Sequence, residues 1–292
     1  MNEMNELNIE MIESRNGNQA FRAKMRKLPL FIGLLLMACI WLLPIIVTFF
    51  IALKSPADFI NSKFYELPKQ FFLIDNLKKA FEYYRFYINM YNSFFYAIIG
   101  TVGCIIAASL AGFSIEKLRP KFNFLLFMII YSGTIFPFQM YLIPLYKIYN
   151  TVGLYNTKLG MNLLYTAICT PFALFVFRGY YQTIDDSLIE AAKIDGCGPL
   201  RIYLKIFLPL LKVPIAVVAV FQGMWIWNDL LFGMVLSQTD EIRPIMVAIT
   251  SMAGSGGGNV PLLMTGVIFT SIPTVFLFIG LRKYFIQGYT FG

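Results

Sequence analysis

A carboxylate, an amide and two indole rings lie within five residues, at Trp225, Trp227, Asn228 and Asp229. Indole rings stack on the apolar faces of sugar rings, while amide and carboxylate groups hydrogen-bond to hydroxyls. The four residues are therefore candidates for contacts with a polar solute, because a carboxylate at membrane depth usually faces a cavity or a partner. The alternative, which the sequence favours, is an aromatic belt at a membrane interface with Asp229 already in water.

Reaction chemistry has little support elsewhere in the chain. The count of histidines is zero, which excludes His-based acid–base catalysis, Ser-His-Asp triads and His-ligated metals. The four cysteines form no C-x-x-C pair, so neither a zinc site nor a disulfide framework is indicated. No G-x-x-x-x-G-K-[ST] phosphate loop occurs, so no nucleotide site of that kind is indicated in this chain. We expect no catalytic residue, metal or cofactor in this chain.

The most informative polar stretch begins at Asp185 and reads DDSLIEAAKIDGCGPLRIYLKIFLPLLKVP. Ser187 and Glu190 fit a capping box, in which each side chain satisfies a backbone N–H at a helix start. Gly196 suits the left-handed position that ends such a helix, and Pro199 suits the first turn of a second one. The pattern predicts a short helix–turn–helix whose first helix has a bare surface at Ala191 and Ala192.

The elements that must position these residues are membrane spans. The chain has 292 residues, 58% apolar and only 14% charged, which excludes an ordinary soluble domain and a disordered chain. A hydrocarbon core of about 30 Å takes roughly 20 helical residues. Six segments meet that length: Leu30–Leu53, Tyr91–Phe113, Phe122–Leu145, Leu159–Phe177, Pro209–Trp227 and Leu262–Leu281. The predicted fold class is an all-α polytopic membrane protein with six transmembrane helices.

The chain has a net charge of +8, and the distribution of its basic residues predicts how the spans are oriented in the membrane. Of the basic residues, 15 fall in the tails and loops on one side of these spans and 9 on the other. The richer side is expected to be cytoplasmic, which places both termini inside. Residues 1–29 are then a cytoplasmic tail, residues 30–292 the transmembrane domain, and residues 185–208 an inner loop. Residues 54–90, where we expect short interfacial helices, and residues 250–261 are outer loops.

The inner loop resembles the EAA loop of permease subunits in bacterial ABC importers. Its matching residues, at the family's spacings, are Glu190, Ala191, Ala192, Gly196, Ile206, Leu208 and Pro209. Four strings are similar to the carbohydrate branch of the family and to its MalG-like subunits. They are EAAKIDG in the inner loop, PFQMYLIPLY at 137–146, GLYNT at 153–157 and WNDLLF at 227–232. The resemblance covers roughly residues 25–292, although the C-terminus lacks the family's usual last few residues.

The resemblance implies a division of labour. A second, homologous permease would complete the pathway through the bacterial cytoplasmic membrane. Two ATPase subunits would bind Mg-ATP and receive the EAA loops, and an external binding protein would deliver a sugar or oligosaccharide. The residues of the EAA loop would then couple ATPase closure to the spans. They are Glu190, Ala191, Ala192, Asp195, Gly196, Ile206, Leu208 and Pro209.

Two further candidate sites remain, and the resemblance implies the first of them. The family's last outer loop reaches into the binding protein, and here that position holds Gly254, Ser255, Gly256, Gly257 and Gly258. A flexible linker is the equal alternative for these glycines. Gln139 and Tyr141 are pathway candidates because they lie beside Pro137, which would bend the third span near the pathway. They are weaker candidates, since ordinary spans also tolerate proline.

Other functions remain to be weighed. The EAA loop indicates coupling to an ATPase and does not indicate the substrate, so a sugar phosphate or polyol derivative is an alternative substrate. An ion-driven secondary transporter would require paired intramembrane acids or a second inverted half, and the spans lack such acids. A membrane enzyme would need convergent titratable groups, which a chain without histidine hardly supplies.

Overall fold

Regular structure in the described residues consists of helices. The computed structural model describes residues 2–83, 85–252 and 259–289, with side chains for 27–82, 85–252 and 259–280. In chain order the helices are α1 (Asn2–Ala52), α2 (Pro56–Asn61), α3 (Leu73–Tyr83), α4 (Phe86–Phe113), α5 (Asn123–Tyr131), α6 (Leu142–Thr151), α7 (Lys158–Gln182), α8 (Ser187–Ile194), α9 (Pro199–Ile202), α10 (Leu208–Leu210), α11 (Lys212–Trp227), α12 (Leu231–Leu236), α13 (Ile245–Met252) and α14 (Val260–Tyr289). The predicted all-α class is confirmed.

Four helical stretches within the described residues are long and apolar enough to cross a membrane. They are Lys27–Ala52, Phe86–Leu118, Lys158–Gln182 and Val260–Gly280. The pair Pro199–Leu210 and Lys212–Trp227 is long and apolar enough only when its two helices, bent by 75°, are taken together, and it then counts as a fifth crossing. These five correspond to the first, second, fourth, fifth and sixth predicted spans, so the polytopic pattern in the sequence is confirmed.

The third predicted span, Phe122–Leu145, is not one helix. It is divided between α5, of nine residues, and α6, of ten, and each is too short to cross the hydrocarbon core alone. Pro137 separates them with an extended backbone (φ −59°, ψ 132°). Because proline lacks an N–H and disfavours a helical residue before it, the chain passes the break through two 3-10 turns.

The fifth span also begins later than the sequence suggested. The predicted start at Pro209 lies before the bend, and the straight helix α11 begins at Lys212. Pro214 has no N–H to donate to the carbonyl of Leu210, so one helical hydrogen bond is missing next to the bend. The bend separates the segment after α8 from the membrane-crossing part of α11.

The packed centre of the bundle is formed by α4, α7 and α11. Along α4 and α7, which run parallel, Tyr96 packs near Tyr165 at one end (ring centroids 6.0 Å apart). Towards the other end the Tyr181 hydroxyl donates to the Ser109 carbonyl at 3.0 Å. A small residue, Gly100, lies where the three helices meet, because a Cβ there would be 2.9 Å from Tyr165 Cβ and 3.0 Å from Ile226 Cδ1.

The loop between α1 and α4 carries the expected short helices, α2 and α3. Its start is tied down by Lys54, which is fully buried and donates to Ser62 Oγ at 2.7 Å and to the Lys63 carbonyl at 2.6 Å. Asn76 of α3 donates to the Ala52 carbonyl at 3.1 Å, which fixes α3 against the end of α1. Backbone groups at this exposed end are thus satisfied by side chains.

Candidate functional site

The helix that carries the EAA motif begins differently from the prediction. Ser187 is already inside α8, and the preceding Asp186 has helical dihedrals (φ −71°, ψ −18°) with no side-chain cap. The Ser187 N–H instead donates to the Asp185 carboxylate at 2.9 Å. The predicted capping box of Ser187 and Glu190 is therefore wrong, because the box needs a non-helical Ser before the first turn.

The end of α8 follows the prediction. Gly196 has φ +73°, the left-handed region that glycine adopts without a Cβ penalty. The Gly196 N–H donates to the Lys193 carbonyl at 3.0 Å, and the Cys197 N–H to the Ala192 carbonyl at 2.9 Å. These bonds close the last turn, and Pro199 then occupies the first turn of α9.

α8 has one buried face and one exposed face. Ile189 and Ala192, three residues apart, are buried in the bundle core, whereas Glu190 and Ala191 are exposed. The expectation of a bare surface therefore holds for Ala191 and not for Ala192. Further exposed apolar side chains extend this face, with Ile194 at 87% exposure the largest example.

The remaining coupling candidates spread away from this face. Asp195 and Gly196 are exposed at the end of α8. Ile206 and Leu208 are half-buried, and Pro209 is exposed just before the bend into α11. The motif thus forms one continuous segment, in which α8 faces outward and the residues from 206 onward connect it to α11.

Sequence reasoning missed the contacts that hold this segment to the bundle. Lys117 lies in the π-helical turn Ser114–Leu118, which continues α4, and its side chain is 3% exposed. It donates to Asp186 Oδ1 and to the Ile184 carbonyl, each at 2.6 Å. Arg119 pairs with Asp186 Oδ2 at 2.8 Å. The hydrogen bond from Lys117 and the charges of both basic residues hold the pKa of the Asp186 carboxyl below its ordinary value. We name Lys117, Arg119 and Asp186 the α4–α8 clamp.

The aromatic and polar candidates of α11 do not form one cluster. Trp225 faces a cavity of about 570 Å³ between α7, α11 and the broken segment after α5. Tyr141 lines the same cavity, whereas Gln139 is exposed and does not line it. Trp227 is buried on another face of α11, where its Nε1 donates to the Thr270 carbonyl of α14 at 3.0 Å.

Asn228 and Asp229 line a neighbouring depression of about 560 Å³, which also contacts Trp225. The proposal that Asp229 lies in water is wrong, because the residue is only 7% exposed. Its Oδ2 accepts from the Tyr165 hydroxyl and from the Gly233 N–H, both at 2.9 Å. The carboxylate therefore satisfies N–H groups at the start of α12, and its free capacity for a solute is small. Asn228 is exposed and donates to the Met224 carbonyl at 2.7 Å.

The proposed binding-protein contact, Gly254, Ser255, Gly256, Gly257 and Gly258, lies outside the described residues. The described chain resumes at Asn259, whose carboxamide oxygen accepts from the Leu262 N–H at 3.2 Å at the start of α14. The role of the five residues therefore stays a prediction.

Comparison with known proteins places this architecture. Residues 99–290 match the family described as binding-protein-dependent transport system inner membrane component. A probable ABC transporter permease of Pyrococcus horikoshii is 44% identical over 183 residues, which are 62% of this chain and 66% of that one. The osmoprotective compounds uptake permease GgtD of Synechocystis is 31% identical over 91% of this chain and 92% of its own. The melibiose/raffinose/stachyose import permease MelC of Bacillus subtilis is 29% identical over 88% and 92%.

Solved structures share the fold. The crystal structure of a bacterial ABC transporter involved in alginate import has a chain that superposes with a TM-score of 0.74 at 23% identity, covering 87% of this chain and 94% of that one. The family match spans most of the chain and confirms the resemblance identified from the EAA loop. The chain therefore belongs to the binding-protein-dependent transport system inner membrane components, the membrane-spanning permease subunits of ABC transporters.

Proposed function

We propose that this permease moves a sugar or oligosaccharide across the cytoplasmic membrane, driven by ATP hydrolysis in partner subunits. The observation that carries the proposal is the similarity to MelC, a melibiose/raffinose/stachyose import permease, along nearly the full length of both chains. Relatives named for arabinooligosaccharide and lactose transport support the same substrate class.

In this proposal α8 is the helix that contacts the ATPase. Glu190, Ala191 and Asp195 lie on exposed surface, and Gly196 sets the turn that follows. Ile206, Leu208 and Pro209 would carry the motion of α8 to α11, while Ala192 supports α8 from the bundle side. The α4–α8 clamp would make α8 and the end of α4 move together.

The partners complete the transporter. A second, homologous permease would form the pathway with this chain, and two ATPase subunits would hold Mg-ATP on the cytoplasmic side together with both termini. An external binding protein would contact the segment Gly254–Gly258 of the outer loop 250–261. Residues 1–29 would be the cytoplasmic tail, residues 30–292 the transmembrane domain, residues 54–90 the first outer loop and residues 185–208 the EAA loop.

The solute path would follow the cavity beside α11. Trp225 and Tyr141 line that cavity and are its pathway candidates, with Asn228 and Asp229 at the neighbouring depression. Trp227 and Gln139, which lie away from the cavity, have weaker support as contacts.

A second substrate class, a small osmolyte or polyol derivative, is favoured by one relative. GgtD is named for the uptake of osmoprotective compounds and is similar to this chain over 91% of its length. The two substrate classes are separated by an uptake experiment with the reconstituted complex. It compares the uptake of labelled melibiose, raffinose and lactose with the uptake of labelled polyols. Saccharide uptake dependent on ATP and the binding protein is the expected result, and uptake of polyols alone would contradict the proposal.

The role of α8 is tested by Glu190→Lys and Gly196→Asp. Both changes should abolish uptake and ATPase co-purification while membrane insertion stays at the wild-type level, because the two residues are exposed. Gly198→Asp is the matched control, since Gly198 is also exposed but has an ordinary φ of −73°. Wild-type uptake and co-purification in Glu190→Lys and Gly196→Asp would contradict the assignment of α8.

A further inference from the structure

One amide side chain, that of Gln222, lies at the wall of the cavity beside α11. Gln222 lies one turn before Trp225, lines the cavity and is 8% exposed. Within the part of the chain that the structure describes, its side chain makes no hydrogen bond. The enclosed side-chain atoms that lack a partner among the described residues do not include those of Gln222, so its amide is open to the cavity and not sealed inside the protein. An amide kept unpaired at a cavity wall is therefore available for a ligand.

Aromatic rings form the wall around this amide. Trp225 is held by Phe138 (ring centroids 5.7 Å apart) and by Phe232 (6.3 Å), and Tyr141 stacks on Phe232 at 6.3 Å. On the α7 side, Phe172 lines the cavity as well. Rings fixed by their neighbours present flat apolar faces at low entropic cost. The cavity volume of about 570 Å³ lies in the range of small-molecule sites.

Charge defines the class of ligand. The lining residues are all described, and none of them is charged; their polar groups are the side chains of Thr134, Tyr141 and Gln222 and the indole N–H of Trp225. A carboxylate or phosphate placed here would lose its hydration without gaining a counter-ion, which costs far more than a hydrogen bond returns. Neutral hydroxyls on a ring with apolar faces suit both the amide and the aromatic wall.

We infer that this cavity is a subsite for a neutral glycosyl unit, with Gln222 hydrogen-bonding to its hydroxyls and Trp225 stacking against its ring. The inference rests on the proposed function and deepens it, because it excludes acidic saccharides and sugar phosphates from this position. Gln222 and not Asp229 is then the principal polar contact, since the Asp229 carboxylate is occupied by Tyr165 and the start of α12.

The test measures occupancy of the cavity directly. Thr134→Cys places a thiol on the cavity wall, and its alkylation in the assembled transporter is followed by mass spectrometry of this chain. Melibiose, raffinose and lactose are the neutral probes, and digalacturonate is the acidic one. At least one neutral probe should slow alkylation several-fold, whereas digalacturonate should not. Adding Gln222→Leu should raise the half-protecting concentration about tenfold, as loss of a buried hydrogen bond predicts.

Two variants keep the test decisive. Thr101→Val is the matched control, because Thr101 is also a buried polar residue facing a cavity, the apolar groove on the other side of α11, and should leave protection unchanged. Gln222→Asn keeps an amide on a side chain that is one carbon shorter, so it should weaken protection less than Gln222→Leu. It also keeps the test usable if the Gln222→Leu variant assembles poorly.

The outcomes separate the subsite from the proposed function. Equal protection with and without Gln222→Leu or Gln222→Asn, or protection by digalacturonate, would overturn the subsite. ATP-driven saccharide uptake by the wild-type complex without protection at Thr134→Cys would also overturn it, while leaving the proposed function intact. Absence of uptake of every saccharide probe would overturn the proposed function itself.

Discussion

At the residue scale, the position of α8 depends on Asp186. This carboxylate accepts from Lys117 at 2.6 Å and from Arg119 at 2.8 Å, and so joins the end of α4 to the start of α8. Lys117 is buried, so its ammonium group needs a partner, whereas Arg119 is exposed and contributes less. The buried half of the α4–α8 clamp is therefore the part that should affect the position of α8 most.

Asp186→Asn should loosen α8 because it leaves Lys117 with only the Ile184 carbonyl. Backbone amides of α8 should exchange about tenfold faster with solvent, measured by hydrogen exchange and mass spectrometry. Lys117→Met combined with Asp186→Asn is the control, since removing both charges leaves no unpaired buried ion and should restore part of the protection. Unchanged exchange in Asp186→Asn would show that the clamp does not hold α8.

The same contact has a pH dependence of known sign. The pKa of Asp186 is lowered, first by the hydrogen bond from Lys117, so the clamp contributes fully above the ordinary aspartate pKa. Its contribution is lost as the pH falls through the lowered pKa of the folded state. Relative to the intrinsic exchange rate at each pH, the protection of α8 in the wild type should therefore fall only in acid, while Asp186→Asn shows no such step.

At the element scale, α4, α7 and α11 pack closely because small residues of α4 lie at the crossing. Gly100→Val should destabilise the bundle by about 1–3 kcal/mol, since the new side chain would clash with Tyr165 and Ile226. Chemical unfolding in detergent measures the change. Gly179→Val on α7 is the control, because a Cβ there meets nothing within 4 Å. Equal stability of the two variants would contradict this account of the packing.

At the scale of the whole molecule, the chain is a permease and not an enzyme, so its helices position the two ends of the bundle and line a path for a solute. The described helices place α8 at one end of the bundle and the segment between α12 and α13 at the other. That segment is anchored to α4, where the Tyr96 hydroxyl donates to the Ile242 carbonyl at 2.7 Å and Asn92 to the Arg243 carbonyl at 3.1 Å.

The proposed orientation predicts opposite labelling of these two ends. Asp195→Cys, beside α8, should react with a membrane-impermeant thiol reagent only in inverted vesicles, and Glu241→Cys only in intact cells. Both positions are exposed, and Cys39→Ser with Cys197→Ser removes the accessible native thiols. Labelling of Asp195→Cys in intact cells would reverse the orientation derived from the basic residues.

The sequence predicted the local features well. The apolar runs identified the continuous spans, since each span needs about 20 apolar residues. Gly196 and Pro199 predicted the turn after α8, whereas Pro137 predicted only a bend in the third span, which the structure divides into two short helices. The separation of Trp225 from Trp227 was also within reach, because residues two apart on a helix face different sides.

Other features needed the tertiary structure, because their partners are far apart in the chain. Lys117 and Asp186 are 69 residues apart, so the sequence alone counts Lys117 only among the basic residues and predicts no partner for Asp186. Asp229 and Tyr165 are 64 residues apart, and their contact decides that the carboxylate is buried. The sequence by itself determined which segments are helical, membrane-spanning and EAA-like, because hydropathy, proline and glycine act locally. Only the tertiary structure decided which side chains meet and that Gln222 faces an uncharged aromatic cavity, because such contacts depend on how distant helices pack.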